Sequence, residues 1–248
     1  MIISHDHGFV FVKPMKVAGS SVENSIYPLL GDKDLVGHNG PENLKILRDL
    51  GKNCRVMSMS HASAEELIAR FMRRIVKYKF ISVARNPWDR AVSLFYWRNK
   101  NLRDLPLDEL RPRFHSWVQS GRVNFEHIGS PFWRGYPAVD LLVKYETLAE
   151  GFREVSRLLD LPSVIDTEKH FDKAGVRPAR SRNFTDLYDD ATWKTVEILG
   201  AREIQLFGYS REKPAGDDRI LAEFDALPLR QRIIATSKQV SHEEAVAE

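Results

Sequence analysis

Apolar residues fall along this chain in short unbroken runs, each followed by a stretch in which they recur every three or four positions. Such runs suit strands buried on both faces, and the stretches between them suit amphipathic helices. The first run is Gly8–Val12, ahead of a loop over Lys13–Ser20 and a helix reaching about Leu30. The second is Arg55–Ser60, which leads to His61 and a helix capped by Ser63, with Glu66 completing a capping box. The third is Lys79–Ala84, ending at Arg85. Asn86 then suits an N-cap and Pro87 a first helical position. The fourth is Val139–Lys144, followed by a second capping-box pair, Thr147 and Glu150, and by Leu148, Phe152, Val155 and Leu159 at helical spacing.

Strand–helix alternation implies right-handed crossovers and an α/β fold of three layers, a central parallel sheet flanked by helices. Ligands of such sheets bind beyond the carboxyl ends of the strands. Lys13–Ser21, His61 and Arg85 all fall at those ends, so sequence order alone brings them to one edge.

The remaining segments are less regular. Arg98–Pro137 is a polar, aromatic and basic insertion, expected to be partly helical and to carry Trp117, Phe125, Trp133, Arg134 and Tyr136. Asp189–Phe207 reads as one long amphipathic helix stopped by Gly208-Tyr209. Lys213–Asp218 has linker composition, and a charged, helix-prone tail follows it. The expected organisation is one domain over residues 1–210, with 98–137 as an insertion, and a tail over 211–248.

Composition narrows the chemistry. Hydrophobic residues make up 43%, ample for a core, and 37 Lys+Arg against 34 Asp+Glu leave a net charge of only +3. A nucleic-acid binder shows a larger, clustered basic excess. The small excess still allows local positive pockets for small anions. The single cysteine, Cys54, cannot form an intramolecular disulfide, which suits a reducing compartment. The first residues, MIISHDHGFVFVK, lack the basic start and apolar core of a signal peptide. No run approaches the roughly 18 apolar residues of a membrane span. A cytoplasmic protein is expected, with peripheral membrane association left open.

The loop Lys13-Pro14-Met15-Lys16-Val17-Ala18-Gly19-Ser20-Ser21 puts small residues at a helix start, where backbone can approach an anion closely. Amides at a helix N-terminus stabilise phosphate, Ser20 and Ser21 add hydroxyl donors, and Lys16 adds a mobile charge. An ordinary strand-to-helix turn with a surface lysine would look similar. A Walker A loop requires lysine directly after glycine, and no such motif occurs. At Arg85, a charge-assisted hold on phosphate competes with simple pairing to a carboxylate. Ser93 lies eight residues on, about two turns along the following helix.

Lys16-x-x-Gly19-Ser20-Ser21 after a strand resembles the 5′-phosphosulfate-binding loop of sulfotransferases. Arg85 and Ser93, in FISVARNPWDRAVSLFYW, resemble the same family's 3′-phosphate motif, in the form seen in its bacterial and glycan-modifying branches. VDLLVKYETLAEGF and the segment from Arg180 to Tyr209 look like later family segments. Val17-Ala18 departs from the Thr-Gly of many relatives, and nothing after Arg211 finds a counterpart.

The resemblance implies a P-loop-like fold and 3′-phosphoadenosine 5′-phosphosulfate as donor, with no metal required. It implies that Lys13, Lys16, Val17, Ala18, Gly19, Ser20, Ser21, Arg85 and Ser93 hold the nucleotide, with Lys16 and the amides of Val17–Ser21 stabilising the leaving phosphate. His61 is the candidate base, since neutral imidazole can accept a proton near pH 7. Some glycan sulfotransferases of similar layout have a histidine at this point, although His61 could also serve only to orient the loop. Glu65 and Glu66 are fallback bases. Arg177, Arg180 and Arg182 could close over the nucleotide. The acceptor, expected at the aromatic insertion, could be a glycan, a lipid-linked glycan or a small metabolite. An ATP-dependent kinase and a non-catalytic nucleotide-binding relative are the rival readings.

Overall fold

The structure, a computed structural model, describes residues 1–38, 40–123, 125, 130–169 and 183–236. Strand β1 (Ile2–Ser4) turns back antiparallel onto β2 (Phe9–Phe11), which leads through the candidate loop into helix α1 (Gly19–Ile26). There follow β3 (Leu35–Gly37), α2 (Pro41–Asp49), β4 (Arg55–Met57), α3 (Ala64–Phe71), β5 (Lys79–Ala84) and α4 (Pro87–Arg98). Next come α5 (Leu107–Gln119), the small hairpin β6 (Phe132–Trp133) and β7 (Tyr136–Pro137), then β8 (Leu141–Lys144) and α6 (Leu148–Leu158). The chain continues through α7 (Asp190–Leu199), α8 (Ala201–Phe207) and β9 (Leu221–Glu223). Residues 227–236 are again helical.

The main sheet has seven strands in the order β4-β3-β1-β2-β5-β8-β9. Its parallel core is β2-β5-β8, with β3 and β4 running in the same sense. The sheet is mixed rather than wholly parallel, because β1 and β9 run against their neighbours. Alternate residues of β5 feed two cores: Phe80 and Ala84 pack with α3, α4 and α5, whereas Ile81 and Val83 pack with α1 and α6. That double burial is why the central strands read as unbroken apolar runs.

Local capping chemistry decides the helix starts. Asn86 accepts from the backbone N–H of Trp88 (2.9 Å) and Asp89 (3.1 Å), with Pro87 in the first turn. Ser63 and Glu66 form the expected reciprocal box, at 2.6 and 3.1 Å. The Thr147–Glu150 box does not form: Thr147 makes no capping bond and its buried hydroxyl finds no partner. A short 3₁₀ turn over Tyr145–Thr147 leads into α6 and leaves no extended N-cap.

The long helix expected over Asp189–Phe207 is broken at Gly200. A Cβ there would meet the Pro87 Cβ at 2.3 Å, so the missing side chain lets the α7–α8 corner sit on the start of α4. Across this contact the Trp88 and Trp193 rings stack at 4.4 Å, and the Trp88 indole N–H donates to the Trp193 carbonyl (3.0 Å).

Within the charged stretch after Arg211, residues 221–236 join the fold. β9 pairs with β8, and Arg230 is buried against Asp140 (2.8 Å), donating also to the Val76 carbonyl (3.0 Å). Asp140 in turn accepts the Phe80 N–H (2.7 Å). Removing one partner of a buried ion pair strands the other charge, typically at about 3–5 kcal/mol. Arg230→Ala is therefore expected to lower unfolding free energy by about that amount in urea titration, and Asp140→Asn in the same background should restore part of it. An unchanged midpoint for Arg230→Ala would show that this segment contributes nothing to the core.

Candidate active site

Three parallel strands end on one rim. The loop Lys13–Ser21 leaves β2, Arg85 follows β5, and Tyr145-Glu146 follows β8. His61 arrives from beyond β4, tied to the loop by its Nδ1 at 2.9 Å from the Lys13 carbonyl.

The loop's shape depends on residues of the next crossover. Arg90 donates from Nε to the Met15 carbonyl (3.0 Å), and Arg85 donates from one terminal nitrogen to the Lys16 carbonyl (2.8 Å). In a planar trans peptide the N–H points opposite to the C=O. Both peptides thus turn their amides, those of Lys16 and Val17, away from the two guanidinium groups. Lys16 and Ala18 both take left-handed backbone, at φ 63° and 60°. Turning successive N–H groups to one side in this way makes an anion-binding concavity. Ala18 is also the N-cap of α1, where it offers no side-chain bond, and the first turn of α1 contains no acidic residue. That helix end is electrostatically set for an external anion.

Gly19 is needed for a different reason. A Cβ on it would lie 2.6 Å from the Lys13 Cγ, because the Lys13 chain runs directly beneath. The Lys13 ammonium is buried and paired with Glu23 at 2.5 Å, and Glu23 also accepts from the Met1 amino group. Lys13 accordingly lies beneath the loop, directed inward. Lys16, Ala18 and Ser20 are half-buried, while Val17 and Ser21 are buried.

Arg85 makes the carboxylate pair weighed for it. Its Nε and one terminal nitrogen pair with Asp89 (2.7 and 2.5 Å), its plane lies 4.2 Å over the Tyr145 ring, and it reaches the loop as well. Its guanidinium thus ties Asp89, the loop and Tyr145 together. Ser93 is half-buried and lies one helical turn beyond Asp89 and Arg90 on α4. The contact between Arg85 and the Lys16 carbonyl brings the loop and the start of α4 to one rim.

Asp89, Arg90, Tyr145 and Glu146 belong to this constellation, and pattern reasoning did not single them out. Arg90 is buried, which pushes its pKa down to about 10 while a contact with Glu203 (3.7 Å) opposes the shift, so it stays charged at neutral pH. The Glu146 carboxyl accepts the Asn86 N–H (3.0 Å) and the Tyr209 hydroxyl (2.7 Å); burial raises its pKa. Apart from the i,i+4 pair of Arg85 and Asp89, the bonds that place them are long-range and leave no local signal in the sequence.

The fallback bases are occupied: Glu65 accepts the Trp133 indole N–H (3.0 Å) and Glu66 closes the box with Ser63. Arg177, Arg180 and Arg182 lie outside the described residues. A cleft of about 350 Å³ between α6 and residues 163–169 is lined by none of the candidate residues. Among the described residues there is no group of three or more His, Cys, Asp and Glu placed to hold a metal ion, and no helix is long and apolar enough to cross a membrane.

A family model described as "Sulfotransferase domain" matches residues 38–195, more than half of the chain. The matched span contains His61, Arg85 and Ser93 and begins after the loop Lys13–Ser21. No curated protein and no solved structure matches the chain.

The carbonyl of Lys13 can only accept, so the His61 Nδ1 carries the proton and Nε2 keeps its lone pair. Burial, reinforced by the Lys13 charge and the amino terminus, lowers the His61 pKa from 6.5 to about 4, against the pull of its own hydrogen bond. The unfolded chain binds this proton first, so the contribution of His61 to stability is full above about pH 6.5 and falls as pH drops toward 4. NMR titration of the ring is expected to give a midpoint near 4, with a His61→Gln variant losing that part of the acid destabilisation. A midpoint near 6.5 would show the ring to be solvated.

Proposed function

Because the chain belongs to the sulfotransferase family, we propose that it moves a sulfuryl group from 3′-phosphoadenosine 5′-phosphosulfate to an acceptor hydroxyl or amine. The observation that carries this reading is the Arg85–Lys16 hydrogen bond at 2.8 Å, which puts the two anion-type segments on one rim. A nucleotide with phosphates at both ends of its ribose needs two separate cationic holds close together, and this rim supplies them.

The residues fit that donor. The amides of Val17–Ser21, the Lys16 ammonium and the Ser20 hydroxyl would take the 5′-phosphate end, and Arg85 with Ser93 the 3′-phosphate. When bound, the nucleotide supplies an activated sulfuryl group and a phosphate leaving group. Lys16 and the loop amides are preorganised donors for charge developing on that phosphate; losing one such donor typically costs about 10²–10³ in rate. Lys13, buried on Glu23, would act by holding the loop from below.

His61 would serve as base through Nε2, taking the hydroxyl proton as the acceptor oxygen bonds to sulfur and the bridging S–O bond breaks toward the phosphate. Its low pKa keeps it neutral across the physiological range, so a rate limited by this group is flat above about pH 5. No metal enters this scheme. The single buried Cys54 supports a reducing, cytoplasmic compartment.

Calorimetry with adenosine 3′,5′-bisphosphate tests the donor assignment. Wild type is expected to bind it more tightly than ATP, and Arg85→Ala to weaken binding at least about tenfold. His61→Ala is expected to keep that binding while transfer falls about 10²–10⁴. Equal binding of ATP with Mg²⁺-dependent phosphotransfer would replace this reading with a kinase, and undiminished transfer in His61→Ala would remove the base.

A further inference from the structure

Of the charged residues in α4, Asp89 is half-buried and Arg98 exposed, whereas Arg90 is drawn inside the protein. Burying a guanidinium is costly, and its ion pair with Glu203 of α8 is a loose one, at 3.7 Å. Arg85 adds the opposing influence of a like charge. Packed apolar side chains in place of such a pair are often neutral or stabilising. Fold stability alone therefore does not account for an arginine at this position.

The guanidinium works on the loop instead. Its Nε donates to the Met15 carbonyl (3.0 Å), and Arg85 donates to the next carbonyl, that of Lys16 (2.8 Å). These carbonyls belong to the two peptide planes on either side of the Lys16 Cα. Peptides are planar, so fixing both planes fixes both backbone dihedrals of Lys16. Its φ of 63° is a left-handed value that a lysine does not hold unaided. The direction in which Lys16 leaves the loop thus depends on both arginines.

Arg90 is itself held by two further elements. Its guanidinium lies 4.7 Å from the centre of the Phe125 ring, and Phe125 is buried in the stretch between α5 and β6. Glu203 contributes the contact from α8. One planar group therefore joins the insertion and α8 to the loop.

We infer that Arg90 is the positioning residue of the anion cradle: it locks the Met15–Lys16 peptide, and with Arg85 the backbone of Lys16, while Phe125 and Glu203 hold its guanidinium in place. Arg90 acts through the loop and does not meet the nucleotide itself. The inference rests on the sulfotransferase reading for which phosphate enters the loop. Only the hold on the 5′-phosphate depends on Arg90, so the two ends of the donor respond differently to its loss.

Calorimetry on the full chain compares adenosine 3′,5′-bisphosphate with adenosine 3′-monophosphate, which lacks the phosphate assigned to the loop. Wild type is expected to favour the bisphosphate. Arg90→Lys keeps the charge but not the planar group that bridges the Met15 carbonyl and the Phe125 ring. Bisphosphate affinity should fall about tenfold, while monophosphate affinity stays within about twofold. Phe125→Leu keeps an apolar side chain but removes the ring face, and should narrow the same preference about threefold. This second variant decides the matter if Arg90→Lys does not fold by circular dichroism. Equal losses for both nucleotides, or a preference untouched in the folded variants, would overturn the positioning role. If wild type binds neither nucleotide, the donor reading falls, and inorganic phosphate becomes the probe of the loop. Weaker phosphate binding in the variants would then sustain the positioning role, and unchanged binding would overturn it as well.

Discussion

One helix sets the geometry of the rim. Arg85, just before α4, and Arg90, inside it, donate to consecutive carbonyls of the loop, Lys16 and Met15. A loop with two left-handed non-glycine residues would otherwise relax, since each such residue is strained by about 1–2 kcal/mol. The loop and α4 consequently behave as one unit. Asp89 fixes the Arg85 guanidinium, Asn86 fixes the start of α4, and Glu146 fixes Asn86 in turn. The rim is therefore shaped by contacts between crossovers, which is why its amides can be oriented before any ligand arrives.

Much of the frame was legible because its signals are local. β5, the turn at Arg85 and the Asn86-Pro87 helix start combine a buried apolar run with a cap whose partners are two and three residues away. The Ser63–Glu66 box is local too. By contrast β1, β3 and β9 were not singled out, and each is a three-residue strand paired with a neighbouring strand. The break at Gly200 was hidden for the same reason. A glycine within a helical pattern says little until Pro87 is found against it. Thr147 and Glu150 had the spacing of a box, yet the 3₁₀ turn ahead of them took the backbone elsewhere.

The site divides along the same line. That Lys16, His61 and Arg85 lie at strand ends follows from strand order, and His61 and Arg85 both bond to the loop that carries Lys16. What the sequence could not tell is how each charge is used. Lys13 looks like a phosphate ligand by type and position, but its ammonium is directed inward to Glu23. Arg90 looks like ordinary helix surface, but it is buried and reaches the loop across 75 positions. The alanine at position 18 takes the conformation that glycine adopts freely, so it adds strain to the loop.

The stacked indoles of Trp88 and Trp193 give the molecule an optical gauge of its own rim. Trp88 lies three positions beyond Arg85 on the helix that carries the loop contacts, and Trp193 lies on α7, so the overlap of their rings records the placement of α4 relative to that helix. The Arg211 guanidinium, 4.4 Å above the Trp193 ring, adds a fixed charge to the same chromophore. Any displacement of α4 changes ring overlap and local field together. The near-ultraviolet dichroism of this indole pair thus follows the placement of α4 without a label.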